Sequence, residues 1–169
     1  MELREISPYD LEYSNAFRAV GKEWMLICAE SAGVTNAMTA SWGFLGQLWN
    51  RPAAICFIRP QRFTYHMADE SERFSLCFFG EGMREELRYF GTASGRDGNK
   101  AEATGLHYGH IDNTPVVEEA SLILLCRKIY VDDIKEENFK EKSIIPACYP
   151  GRDYHRVFVC EVEKCFIKQ

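Results

Sequence analysis

The chain has 169 residues, 46% of them hydrophobic and 27% charged, and a net charge of −5. That acidic balance argues against a general nucleic-acid or membrane-surface partner, which favours a basic face, and no apolar run approaches the roughly 18 residues that a bilayer-spanning helix needs. One domain over residues 1–169 is expected, enough chain to bury about 70% of its unfolded surface. The start, Met1-Glu2-Leu3-Arg4-Glu5, lacks a signal-peptide core, so a cytoplasmic protein is expected. Seven cysteines, at 28, 56, 77, 126, 148, 160 and 165, form no CxxC and sit mostly in apolar runs. They read as reduced, buried, small hydrophobes.

In chain order, Trp24–Ala29 and Ala53–Ile58 read as buried strands, and Phe74–Phe79 mixes aromatics with Ser and Cys in a third. Thr64 is a candidate cap for a short helix through about Asp69. Met83, Leu87 and Phe90 share one face of a helix that Gly91 would stop. Asp97 is a candidate cap for a helix around Asn99–Ala103 ending at Gly105. Leu122–Val131 and Val157–Val162 are the last strands, with a polar helical turn at Glu136–Glu141 between them. Many short strands with few helices predict a mainly β fold, an antiparallel barrel with peripheral helices. GxGxxG and GxxxxGK[ST] are both missing, so any nucleotide is held by neither a Rossmann nor a P-loop site.

Three segments carry the chemistry. Asn36-Ala37-Met38-Thr39-Ala40-Ser41-Trp42-Gly43 packs an amide, two hydroxyls and an indole into eight residues between strand-like runs, a hydroxyl-rich turn or a strand. Its hydroxyls either bond locally to backbone or, with the intervening amides, face a polar planar ligand beside Trp42. Arg59-Pro60-Gln61-Arg62-Phe63-Thr64 offers two guanidiniums at a helix start, where free amides and the dipole favour an anion; Pro60 restricts the backbone there. The bland alternative is a solvated strand end. Gly91–Lys100 supplies Ser94, Gly95, Arg96 and Lys100 on a glycine-rich connection. Each charge-assisted bond contributes about 1.5–3 kcal/mol, so three of them give about 5–9 kcal/mol, and micromolar binding near −8.2 kcal/mol also needs burial of a flat ring.

The ordered set Trp24-Met25-Leu26-Ile27, Asn36–Gly43, Arg59–Thr64, Phe74-Ser75-Leu76, Ser94-Gly95-Arg96-Asp97 with Lys100, and Asp153-Tyr154-His155-Arg156-Val157 resembles the flavin reductase-like family, including its flavoredoxin group. It spans about Trp24 to Val162. The resemblance implies an FMN-binding split β-barrel, six-stranded, antiparallel and Greek-key, with peripheral α-helices, assembled as a homodimer with FMN near the subunit interface. By the same resemblance, Asn36, Met38, Thr39, Ala40, Ser41 and Trp42 would run along the isoalloxazine and ribityl chain. Arg59, Pro60, Arg62 and Thr64 would lie at the ribityl-phosphate end. Ser94, Gly95 and Lys100 would add phosphate contacts, whether from the same subunit or its partner. Two departures stand out: Asn99 precedes Lys100 where an acidic residue is common, and Cys160 replaces a common Gly in the last strand.

No Ser/His/Asp arrangement is evident, and no catalytic side chain is assigned. His107-Tyr108-Gly109-His110 has HxxH spacing, but no further ligand set follows, so no metal is expected. His66 reads as a surface or packing residue, and His155 as a packing or interface residue within reach of the flavin. This scarcity suits a reaction carried by a cofactor, the protein supplying orientation and electrostatics. The resemblance implies hydride transfer from NADH or NADPH through FMN to free flavin or another electron acceptor. A flavoredoxin-type electron carrier and a non-catalytic FMN-binding module are the alternatives; a pyridoxamine-phosphate oxidase-like activity matches the motifs less well.

Overall fold

The computed structural model describes residues 2–11 and 15–169; residue 1 and residues 12–14 lie outside it. In chain order the strands are β1 (Leu3–Ile6), β2 (Met25–Ser31), β3 (Val34–Ala40), β4 (Gly43–Leu48), β5 (Arg51–Ile58), β6 (Arg73–Phe78), β7 (Tyr108–Ile111), β8 (Thr114–Val117), β9 (Leu122–Asp133) and β10 (Arg156–Lys168). The helices are α1 (Ala16–Arg18), which runs into a π-helical turn at Ala19–Glu23, then α2 (Phe63–Glu70), α3 (Arg84–Thr92), α4 (Lys100–Thr104) and α5 (Ile144–Cys148).

Eight strands form one sheet in the order β3-β2-β6-β9-β10-β5-β4, with β1 pairing the far end of β10. Every pairing is antiparallel, and β7 and β8 form a separate hairpin. The split barrel with peripheral helices expected from the sequence is the architecture found, although the sheet has eight strands rather than the six implied by the resemblance. Alternation explains the curl: Met25 and Ile27 of β2, Met38 of β3, Ile58 of β5, Leu76 of β6, Leu124 of β9 and Phe158 of β10 all point into one interior cluster. The opposite face buries Leu26, Cys28, Cys77, Ile123 and Leu125 under α3, α4 and β8. In the interior, Phe74 and Phe158 meet edge to face, with ring centroids 6.1 Å apart. Six of the seven cysteines are buried.

Several elements differ from expectation. Of the turn and strand readings of Asn36–Gly43, the strand holds for Asn36–Ala40, most of β3, paired along β2 from Met25↔Ala40 to Ser31↔Val34. Strands β1, β4, β7 and β8 were not foreseen. Three of the missed pairings hang on two-residue turns with positive φ at both positions: Ala32-Gly33, Trp49-Asn50 and Asp112-Asn113. That geometry matches the right-handed twist of the flanking strands, and only the first turn contains the glycine that usually signals it. Gly43 opens β4 because a Cβ there would lie 2.9 Å from the Ile55 carbonyl and 3.1 Å from Met25 Cε.

The helix ends also shift. Arg62, not Thr64, holds the N-cap position of α2, without a side-chain cap bond. Gly91 lies inside α3, which continues to Thr92. Asn99, not Asp97, caps α4, its Oδ1 accepting from the amides of Ala101 and Glu102, and Gly105 closes that helix in the left-handed region. Of the expected Glu136–Glu141 turn, only Glu136–Asn138 is helical, as a 3-10 turn.

Candidate functional site

Two adjoining cavities open where β3, β5, α2 and the α3–α4 connection meet. The first, about 190 Å³, is lined by Met38, Thr39, Ala40, Ser41, Trp42, Phe57, Arg59, Arg62 and His155. The second, about 240 Å³, is lined by Asn36, Gln61, Arg62, Phe63, Thr64, Gly91–Arg96 and Lys100. Arg62 is the wall they share, so together they form one two-ended site within a single chain.

The second cavity is built around two cations. Arg62 donates through Nη1 to the Gly91 carbonyl at 2.9 Å and through Nη2 to the Phe90 carbonyl at 3.1 Å. Lys100 is 3% exposed and donates to the same Phe90 carbonyl at 3.2 Å. Both therefore rest on the negative end of the α3 dipole, and neither has a carboxylate partner among the described residues. Burial, and then the cation of Arg59, pushes the Arg62 guanidinium down. Burial, and then Arg62, pushes the Lys100 ammonium down to about 8.

The remaining wall is polar and closely packed. Asn36 Nδ2 donates to Thr64 Oγ1 at 2.7 Å, which ties β3 to α2. The Thr64 hydroxyl therefore serves as an acceptor in the wall rather than as a helix cap. Ser94 Oγ accepts from the Arg96 amide at 3.2 Å, and the Arg96 guanidinium lies 5.2 Å over the Phe63 ring. Gly95 is required by contact: a Cβ would lie 2.5 Å from Phe63 Cδ1 and collide with the Asn36 amide.

The first cavity is walled by rings. Trp42 and His155 have centroids 5.1 Å apart, and Phe57 meets His155 edge-on at 6.4 Å. The Thr39 hydroxyl is committed to the Leu87 carbonyl of α3. Arg59 belongs to this cavity, not to the Arg62–Lys100 group expected from the sequence. Its guanidinium pairs with Asp153, donates to the Cys148 carbonyl at 2.8 Å and lies 5.0 Å over the Tyr149 ring. Pro60 lines neither cavity.

Every other sequence-selected residue lies in one cavity or both. Sequence reasoning did not select Phe57 and His155, which line the first cavity, or Gln61 and Phe63, which line the second. Phe57 alternates with buried Cys56 and Ile58 on β5, a period-2 signal that it faces the other way. His107 and His110 are engaged by Glu119 and Glu30 respectively, and no cluster of three metal-ligating side chains occurs among the described residues. His66 is exposed on α2. No helix among the described residues is long and apolar enough to cross a membrane.

An antiparallel split barrel with a two-ended cleft, one end ringed and one cationic, defines the class. The chain belongs to the flavin reductase like domain family, whose model matches residues 17–169. Similar solved structures include an FMN-binding domain of flavin reductases-like enzyme from Shewanella baltica OS155, at 19% identity and a TM-score of 0.68 over 98% of this chain and 77% of that one. A flavoredoxin from Methanosarcina acetivorans is 22% identical, with a TM-score of 0.65 over 87% of this chain and 69% of that one. An FMN-binding protein from Thermus thermophilus with bound p-hydroxybenzaldehyde is 21% identical, with a TM-score of 0.67 over 95% and 79%. At these identities the likeness establishes the fold. No curated protein matches the chain.

Proposed function

We propose that the chain binds FMN and acts as an NAD(P)H-dependent flavin reductase-like oxidoreductase, passing electrons to free flavin or another acceptor. The observation that carries this reading is the pair Arg62 and Lys100, two cations drawn from solvent onto one carbonyl with no carboxylate among the described residues to neutralise them. A buried charge without a counter-ion is costly, and a phosphate is the complementary group. The donor set fits: Ser94 and Thr64 add hydroxyls beside the two cations.

On this reading Arg62, Lys100, Ser94 and Gly95 hold the phosphate, and β3 from Asn36 to Ala40 runs beside the ribityl chain. Ser41 and Trp42 border the flavin ring. Bound FMN supplies the hydride chemistry. The chain's own side chains orient the ring, and Trp42 and Phe57 exclude water from one side of it. A homodimer accompanies the proposal. Phe44 is 63% exposed and packs edge-on against Phe57 of the first cavity, so an exposed aromatic ring borders the site.

FMN titration of the purified protein, followed by anaerobic mixing with NADH and with NADPH, tests the proposal. Saturable FMN binding with rapid bleaching by a nicotinamide is expected. Bleaching only by a protein donor points to an electron carrier instead, and failure to bind FMN overturns the reading. Sedimentation of the same sample tests the dimer.

A further inference from the structure

His155 is the one titratable group in the first cavity that is neither an anchor for phosphate nor paired with a charge. It lies immediately before β10 and is 8% exposed. Its Nδ1 is 2.8 Å from the Tyr149 hydroxyl. Tyr149 follows α5, is 4% exposed, and is wedged among Tyr154, at 4.9 Å between centroids, Phe139, at 6.0 Å, and the Arg59 guanidinium. The hydroxyl has no other hydrogen-bond partner among the described residues.

That geometry decides which atom carries the proton. If Nδ1 held it, the buried phenol proton would face nothing, a loss of about 1–3 kcal/mol. The phenol therefore donates to Nδ1, which must be the lone-pair nitrogen, and Nε2 carries the hydrogen. Nε2 has no protein partner among the described residues, and the ring edge lines the cavity between Trp42 and Phe57. The charged groups around the imidazole are Arg59 and Arg62, which oppose a second proton, and Asp153, which favours it but is held by Arg59 and Gln61. Burial, followed by Arg59, pushes His155 down to about 4.

We infer that Tyr149 is a positioning residue that locks His155 as a neutral Nε2–H donor, giving the first cavity a hydrogen bond for a carbonyl or carboxamide oxygen on the planar ring bound there. The ring's identity rests on the flavoprotein reading; the tautomer does not. His155 thus serves as a fixed donor that orients the ligand, not as a base.

A long-range proton–nitrogen spectrum of the 15N-labelled protein tests the tautomer directly. The expected result is an unprotonated Nδ1 and a protonated Nε2 for His155 from about pH 5.5 to 8, a window in which an ordinary histidine titrates. Tyr149→Phe keeps every ring contact and should let both tautomers appear. In the same variant, either the FMN dissociation constant or the KM for NADH should rise by about 2- to 10-fold, with kcat less affected, as expected for one lost neutral hydrogen bond. A rise in the first places the acceptor oxygen on the flavin, and a rise in the second places it on the nicotinamide. His155→Gln, which retains an N–H donor, should preserve more of that affinity than His155→Leu. A protonated Nδ1 in the wild-type protein, or unchanged ligand constants in Tyr149→Phe, overturns the inference. A protein that shows the expected tautomer but binds no FMN overturns the flavoprotein reading alone.

Discussion

Arg62 and Lys100 show how burial converts two ordinary cations into a specific demand. On the surface, each would be solvated and screened. Beneath the α3–α4 connection, they share the Phe90 carbonyl; burial and Arg59 lower the proton affinity of Arg62, and burial and Arg62 lower that of Lys100. Arg62→Ala should therefore weaken FMN binding by about 1.5–3 kcal/mol while leaving the far-ultraviolet dichroism unchanged. Lys100 adds a pH dependence. Its native pKa, near 8, lies below the ordinary lysine value, so the folded chain binds fewer protons than the unfolded chain between about 8 and 10.5. Lys100 thus makes the ligand-free protein more stable as pH rises through that window. FMN affinity should run the other way, falling as pH rises above about 8, and calorimetry in buffers of different ionisation enthalpy should show proton uptake on binding near pH 8. Lys100→Met should abolish both effects. His155 acts at the acid end. Neutral in the fold, with a pKa near 4, it lets the unfolded chain take up a proton first as pH falls below about 6.5, so its contribution to stability is lost between there and about 4. Urea midpoints at pH 7 and pH 5 should converge in His155→Gln.

At the scale of elements, short helices place the site, and their caps decide whether they form. Helix α4 has only five residues, Lys100–Thr104, too few to persist on propensity. It depends on Asn99 at one end, Gly105 at the other, and the burial of Ala101. Asn99→Ala should cost about 0.5–2 kcal/mol in urea unfolding and weaken FMN binding as well, because Lys100 is the first residue of the helix that Asn99 caps. Asn99 stands where the family resemblance favours an acidic residue; its amide oxygen performs the capping. Gly95→Ala should cost more affinity than stability, since the clash with Phe63 and Asn36 falls in the cavity wall. Sequence patterning located α2, α3 and α4 within a few residues but mistook which side chain caps two of them. Asp97 and Asn99 are both good caps by type, and only the path of the backbone selects between them.

For the whole molecule, the outer face of the barrel carries a ladder of alternating charge across four strands. Glu161 of β10 joins Arg51 of β5 to Arg127 of β9, and Glu163 joins Arg127 to Arg73 of β6. Partly exposed pairs of this kind contribute about 0.2–1 kcal/mol each. Glu163→Gln should therefore lower stability by about that amount in dilute buffer and by less in 1 M salt, where screening acts within about 3 Å. The interior responds on another scale: Phe158→Ala, beneath Phe74, should cost about 3–5 kcal/mol. The contrast separates the charge ladder, which tunes the sheet, from the apolar cluster, which holds it closed.

The sequence by itself determined the antiparallel β class, the long strands of the core, and more than half of the residues that line the cleft, because buried strands and phosphate-suited side chains are local signals of residue type. Strand β4, which Trp49-Asn50 joins to β5, and the β7–β8 hairpin at Asp112-Asn113 were not legible, since their turns depend on backbone angles that those residues rarely adopt without support from the sheet. Tertiary structure alone decided the partnerships. It turned Arg59 toward Asp153 and the ring end of the cleft, brought Lys100 across α3 to Arg62, and set Tyr149 against His155. The identity of a side chain limits which charges and hydrogen bonds it can offer. Which of them remain unsatisfied, and so await a ligand, depends on neighbours that only folding supplies.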